Sequence, residues 1–183
     1  MSSDQPPIDP VWMREVLERY ERQLVRYAHR TLGGGDLETA RDIVQDTFLR
    51  LIRVGRDSVE DHLAEWLFTV CRNRCFDVLR KESRMTALSD TTQETLTRTD
   101  APALSRDGAT EQHAKILALV EELPPRQQEV IRLKFQNGLS YKEISRVTDL
   151  TVTNVGFLIH TGLKTVRERL QKQPVRNASP ATT

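Results

Sequence analysis

The side chains of this chain offer little from which to build an enzyme. Cys71 and Cys75 are its only cysteines, four apart, and no His or further Cys lies near enough in sequence to complete a standard zinc spacing. Two small buried thiols are the expectation. No nucleophile sits beside a base and no Gly-rich loop is shaped to cradle phosphate, so no catalytic residue, metal or cofactor is assigned. The patterned polar residues suit recognition instead. Thr153, Phe157, His160, Lys164 and Arg167 share one stripe at helical spacing. Upstream, Asn73 and Asp77 lie four apart and are followed by Arg80, Lys81 and Arg84.

The first stripe is positioned by the stretch Ser140 to Leu170. Ser140 and Glu143 have the S-x-x-E spacing of a capping box, in which each side chain satisfies an orphan backbone N–H at a helix start. Ile144 and Val147 give a short apolar face, Thr148-Asp149-Leu150 breaks it, and Thr151 caps a second helix. In that helix Val152, Val155, Ile159, Leu163, Val166 and Leu170 form the inward stripe. A short helix, a tight turn and a longer amphipathic helix read as a helix-turn-helix, whose second helix enters the DNA major groove. An ordinary helical hairpin with a solvated polar stripe fits the same pattern.

Composition bounds the remainder. The 183 residues suffice for one large or two small domains. Helical periodicity recurs while strand-like alternation is scarce, so the fold class is all-α. Formal net charge is only +1, but it is unevenly spread. His113 to Lys172 holds ten Lys and Arg against six Asp and Glu, whereas Met85 to Gln112 holds two against five. Adjacent segments of opposite charge point to different partners. No apolar run approaches the ~20 residues that span a bilayer. The start MSSDQPPIDP lacks the basic and apolar regions of a signal peptide, so a cytoplasmic location without membrane insertion is expected.

Asp9 and Pro10 begin a first helix with Val16, Tyr20, Leu24, Tyr27 and Ala28 inward, ended by Gly33-Gly34-Gly35. Asp36 caps the next, which buries Ala40, Ile43, Val44, Thr47, Phe48 and Leu51 and leaves Asp42, Gln45 and Asp46 outside. A loop from Val54 to Glu60 precedes a third helix, about Asp61 to Arg84, with Leu63, Trp66, Leu67, Val70, Cys71, Phe76, Val78 and Leu79 as apolar positions. After it, Thr, Ser and Asp dominate and periodicity is lost, the mark of a linker between domains. The expected organisation is an N-terminal helical bundle over 9–84, an acidic flexible linker over 85–109 and a C-terminal helix-turn-helix domain over 110–172. Disordered tails are expected at 1–8 and 173–183.

In this order the segments resemble the extracytoplasmic-function sigma factors of bacterial RNA polymerase, in the sigma-70 family. Leu37 to Leu51, LETARDIVQDTFLRL, is similar to the family's polymerase-binding helix. Glu65 to Arg80, EWLFTVCRNRCFDVLR, is similar to its promoter-melting helix, with Asn73, Asp77 and Arg80 in the N-x-x-x-D-x-x-R positions. Leu123 to Leu139, LPPRQQEVIRLKFQNGL, followed by the helix-turn-helix, is similar to its C-terminal region. The resemblance covers about Val16 to Leu170.

It implies a sigma subunit, not an enzyme, that binds core RNA polymerase, recognises -35 and -10 promoter elements and helps melt the DNA. Asp42, Gln45 and Asp46 match the polymerase-docking surface, where carboxylates suit a basic coiled coil. At the -10 element a base leaves the stack for a pocket that the loop 54–60 would form with Asn73, whose amide both donates and accepts hydrogen bonds. Asp77 would hold Asn73, and Arg72, Arg74, Arg80, Lys81 and Arg84 would bind phosphates. At the -35 element the candidates are Thr153, Asn154, Phe157, His160, Lys164 and Arg167. The linker would thread the polymerase's active-site cleft.

The chain departs from the family's pattern twice. The loop VGRDSVE lacks the aromatic that members often carry before the helix bearing Trp66, and Trp66 and Phe68 read as core. Gly156 and Leu158 stand where members carry Lys and Arg, which implies a shallower salt dependence of -35 binding. Gly156 either lets the backbone approach DNA or only weakens the helix, and Phe157 either meets a thymine methyl or packs on the preceding helix. No heptad seam is evident, so a monomer is expected when partners are absent, and an anti-sigma factor is the family's usual control. A free-standing helix-turn-helix regulator and a polymerase-binding regulator with weakened promoter recognition are the alternative functions.

Overall fold

The computed structural model describes residues 9–34, 36–88 and 111–172. These hold seven α-helices and one 3₁₀ turn, with no strand among them. They are α1 (Pro10–Thr31), α2 (Leu37–Val54), the 3₁₀ turn Glu60–His62, α3 (Leu63–Leu88), α4 (Glu111–Glu121), α5 (Pro125–Phe135), α6 (Tyr141–Thr148) and α7 (Val152–Lys172). They fall into two compact units, one built on α1–α3 and the other carrying α4, α5, α7 and the start of α6. The expected tails and most of the expected linker lie outside the described residues.

In the first unit, local chemistry sets the helix ends. The Asp9 carboxylate accepts from the N–H groups of Val11 and Trp12 at 3.0 and 3.1 Å, with Pro10 in the first turn. At the other end Gly33 and Gly34 take φ of +79° and +78°. Their N–H groups return to the carbonyls of Arg30 and His29 at 3.0 and 2.9 Å. Asp36 caps α2 by accepting from Glu38 and Thr39, and the Glu38 N–H above all holds its carboxyl below the ordinary range. Gly55, at φ 81° and ψ 161°, closes α2 in a conformation nearly restricted to glycine.

Helices α1, α2 and α3 pack on one another around Leu24, Leu51, Leu67 and Phe68. The Phe68 ring meets Tyr27 edge-on, centroids 5.3 Å apart. The inward stripes of α1 and α2 are those read from the sequence. Along α3 the buried line is Leu67, Phe68, Cys71 and Cys75, while Phe76, an apolar position in the sequence pattern, is exposed. Both thiols are free and buried; the Cys75 neighbour and burial push the Cys71 thiol well above its ordinary value, so it is no nucleophile at neutral pH. The linker expected from residue 85 begins inside a helix, because α3 runs on to Leu88. No Gly or Pro interrupts Lys81 to Leu88, and Lys, Glu, Arg, Met, Ala and Leu all favour helix.

In the second unit α4 and α5 both pack on α7. Leu123, Val130, Leu133, Leu139, Ile144 and Val155 are almost wholly buried. The capping box forms: Ser140 N–H donates to Glu143 Oε2 at 2.6 Å, and Glu143 N–H to Ser140 Oγ at 3.3 Å. The turn between α6 and α7 depends on Asp149, held at φ +58°. That left-handed residue lets Leu150 N–H reach Ser145 O at 3.2 Å, while Ser145 Oγ donates back to Leu150 O at 2.5 Å. Thr151 Oγ1 then accepts from Asn154 N–H at 3.2 Å and starts α7. The inward line of α7 is Val155, Ile159, Gly162 and Val166. Val152, placed inward by the sequence pattern, overhangs the helix start and is exposed, and Leu163 is half-buried.

At Gly162, α7 lies against the α4–α5 corner with no room for a side chain. A Cβ there would stand 2.6 Å from Ile131 Cδ1 and 3.3 Å from Leu123 Cδ1. Overpacking a buried contact of this kind costs about 1–3 kcal/mol. Gly162→Leu is therefore expected to lower the unfolding free energy of the second unit by that amount in denaturant titration, and an unfolding free energy equal to the wild type would show that the interface has slack.

Candidate functional site

The outer face of α7 carries Thr153, Asn154, Phe157, His160, Lys164 and Arg167, and all six are exposed. Phe157 is 65 % exposed, which removes the reading in which it packs on the preceding helix. The face is only mildly cationic, since Lys164 Nζ stands 4.0 Å from the Glu168 carboxylate. Gly156 is less constrained than the sequence implies. A Cβ on it would meet the Tyr141 ring at 3.6 Å, an ordinary contact. Tyr141 was not singled out in the sequence, yet its ring abuts the first turns of α7, with Lys134 Nζ 5.5 Å above it. An aromatic at the first position of α6 is the signal that could have found it.

On the first unit, Asn73 and Asp77 of α3 are both exposed, but Asp77 turns to Arg80, 3.5 Å away, and no hydrogen bond joins it to Asn73. The phosphate-binding candidates are partly engaged. Arg72 lies over the Phe76 ring at 4.5 Å. Arg74 donates twice to one oxygen of Asp46, from Nε at 3.1 Å and Nη2 at 2.7 Å. Lys81 and Arg84 are exposed. Two residues read as serving different partners, Asp46 and Arg74, thus face each other across α2 and α3. Asp46 is half-buried and not the free carboxylate that the sequence pattern gives, because α3 brings a guanidinium against it.

Asp42 and Gln45 are exposed and border a cleft of about 660 Å³ between α1 and α2. Its floor is apolar, with Leu17, Val25, Val44 and Phe48, and its rim also carries Arg22 and Glu38. An apolar groove with charges of both signs at its edge suits a protein partner better than a nucleic acid.

The loop 54–60 lines a second cleft of about 300 Å³. Asn73, expected to complete it, is not among the lining residues; the far wall comes from α1, through Asp9, Trp12 and Met13. Arg56 fixes the loop there. Its guanidinium lies 5.7 Å over the Trp12 ring, bonds Asp9 Oδ2 at 3.3 Å and reaches Glu60 Oε1 at 2.5 Å. Trp12 and Arg56 lie 44 positions apart in sequence, so no local spacing pairs them. Among the described residues no group of three or more His, Cys, Asp or Glu could hold a metal, and no helix is long and apolar enough to cross a membrane.

Comparison with known proteins matches residues 16–85 to sigma-70 region 2 and residues 113–166 to sigma-70 region 4. The sigma factor BldN of Streptomyces coelicolor is 34% identical over 72% of this chain and 50% of its own length. SigE of Mycolicibacterium smegmatis is 28% identical over 94% of this chain and 66% of its own length. The chain thus spans half to about two thirds of these two relatives, both described as extracytoplasmic-function RNA polymerase sigma factors. SigW of Bacillus subtilis, 24% identical, is covered over 88% of its length. Among solved structures, the Bartonella quintana sigma factor RpoE, in complex with the anti-sigma factor NepR, shares the fold. Its TM-score is 0.66 at 22% identity, over 87% of this chain and 97% of that one.

Two outcomes follow from this geometry. A double-mutant cycle with Asp46→Asn and Arg74→Gln should give a coupling of about 0.5–1 kcal/mol in unfolding free energy, falling with salt, as for a partly exposed pair. Zero coupling at low salt would mean that the pair contributes nothing to the fold. Gly156→Ala should stabilise the second unit by up to about 1 kcal/mol in denaturant titration, and a loss of stability would show that Tyr141 cannot accommodate the methyl group.

Proposed function

The chain belongs to the sigma-70 family, in its extracytoplasmic-function group, and from that premise we propose that it is a promoter-recognising sigma subunit of bacterial RNA polymerase. The first unit docks on core polymerase through Asp42, Gln45 and the cleft they border, and contacts the -10 element through α3. The second unit presents the outer face of α7 to the -35 element. The observation that carries this reading is the order of the two sigma modules along one chain, each with the residues proposed for recognition on an exposed helix face. A free-standing helix-turn-helix regulator would leave the region 2 module and its cleft without a role.

In this reading the protein is an initiation factor without catalytic chemistry of its own, working in the cytoplasm. Asn73 offers an exposed amide to a base edge, and Lys81 and Arg84 offer cations to phosphates. Thr153, Asn154 and His160 supply hydrogen bonds in the major groove and Phe157 an apolar contact to a thymine methyl. The apolar cleft between α1 and α2 also fits sequestration by an anti-sigma factor, which would then compete with polymerase.

The decisive experiment mixes the purified protein with sigma-free core polymerase and genomic fragments. Co-elution with specific initiation is the expected result, and DNA binding without polymerase association would hand the function to a free-standing regulator. Asp42→Lys is expected to weaken core binding by about tenfold or more through charge reversal at an exposed contact, while the fold is unchanged. Asp42 is the cleaner probe than Asp46, whose replacement also releases Arg74. Asn73→Ala should spare the closed complex and slow opening; equal melting by mutant and wild type would remove Asn73 from the site.

A further inference from the structure

Arg74 differs from Arg72 and Arg80, its fellow cations on α3, in where its neighbour comes from. Arg72 lies over Phe76 and Arg80 beside Asp77, both within the same helix. The carboxylate against Arg74 belongs to α2, one turn beyond Asp42. Both donors, Nε at 3.1 Å and Nη2 at 2.7 Å, go to the single oxygen Oδ2 of Asp46. That edge of a guanidinium is also one with which it takes two oxygens of a phosphate, so carboxylate and phosphate compete for it. A phosphate approaching from another side would still meet the negative charge of Asp46 close by. The contact is held but not sealed. With 43% of the Asp46 side chain and 37% of the Arg74 side chain exposed, a cation from outside can reach the carboxylate, whose Oδ1 is not taken by Arg74.

We propose that the Asp46–Arg74 pair is an autoinhibitory contact: Asp46 stands where a promoter phosphate would bind, and core polymerase lifts the block by offering Asp46 a cation of its own. This rests on the reading of the chain as a sigma subunit, with Asp46 on the docking side of the first unit and Arg74 on its DNA side. The free chain then lacks one phosphate contact that the holoenzyme has. An exposed pair is weak enough for such a replacement to be easy.

The test uses a promoter duplex recovered in the initiation experiment and measures its binding, at low salt, by the full-length chain alone and by its holoenzyme. Alone, Asp46→Asn should bind up to about fivefold more tightly than the wild type, the fold-change that one exposed ion pair can withhold. Its affinity should also fall more steeply with salt, by about one phosphate contact. Adding Arg74→Gln to Asp46→Asn should remove the gain, and Glu18→Gln, which deletes an exposed carboxylate on α1, should not reproduce it. Arg74→Gln by itself should change binding by the free chain less than about twofold and weaken the holoenzyme by up to about fivefold. Arg74→Lys, which keeps a cation for the phosphate, should retain most of the holoenzyme's affinity. Asp46→Asn binding no more tightly than the wild type, or no binding by either, would overturn the proposal. So would a gain that survives in the double variant, an equal effect of Arg74→Gln with and without core, or an equal loss with Arg74→Lys. Any of these beside normal initiation removes the autoinhibitory contact and leaves the sigma reading standing. If the wild type directs no initiation at all, the sigma reading itself fails and takes the proposal with it.

Discussion

Everything this protein can present to a partner is fixed by what its helices must hide. Leu24, Leu51, Leu67 and Phe68 occupy the centre shared by α1, α2 and α3, and a helix turned by one residue would expose them at a cost of about 1.5–3 kcal/mol per side chain. The opposite faces are therefore fixed in direction without any contact of their own. Asp42 and Gln45 look outward because Ile43, Val44 and Phe48 look inward; Asn73 and Asp77 do so because Cys71 and Cys75 do not. The same constraint governs α7, where Val155, Ile159 and Gly162 set the side on which Phe157 and His160 stand. Recognition here is a by-product of packing, which is why no strained backbone or buried charge is needed in the proposed surfaces.

Where those surfaces carry charge, the charge is moderated. Arg72, Arg74 and Arg80 each have a neighbour on their own chain, an aromatic face or a carboxylate. Lys164 has Glu168. With net charge near zero overall, a chain arranged this way is held back from binding nucleic acid indiscriminately. In the proposed role, affinity for DNA would have to come from geometry that several contacts satisfy together, and a second protein that supplies further contacts suits that requirement.

The parts legible in the sequence are those that depend on nearest neighbours along a helix. Caps at Asp9, Asp36, Ser140 and Thr151, the glycine stop after α1 at Gly33, and the inward stripes of α1 and α2 all follow from spacing within a few residues, and the structure has them in place. What the sequence hid depends on contacts between elements. That Asp46 meets Arg74, 28 positions away, is decided by how α3 crosses α2. The cleft formed by Trp12 and Arg56 needs the start of α1 to fall beside the α2–α3 loop. That Gly162 has no space for a side chain is likewise decided between elements, by Ile131 and Leu123. The end of α3 is hidden for a different reason: composition shifts toward Thr and Ser only gradually, and a helix persists until something stops it.

The Asp46–Arg74 pair also sets a rule of exchange between the two sides of the first unit. A protein that takes the Asp46 carboxylate frees a guanidinium for phosphate, and a phosphate that takes Arg74 frees a carboxylate for the protein. Thermodynamic reciprocity makes the two enhancements equal in size. A partly exposed pair limits that gain to about 1 kcal/mol, roughly a fivefold change in either affinity. In the proposed role, this one ion pair would make polymerase and DNA weak effectors of each other.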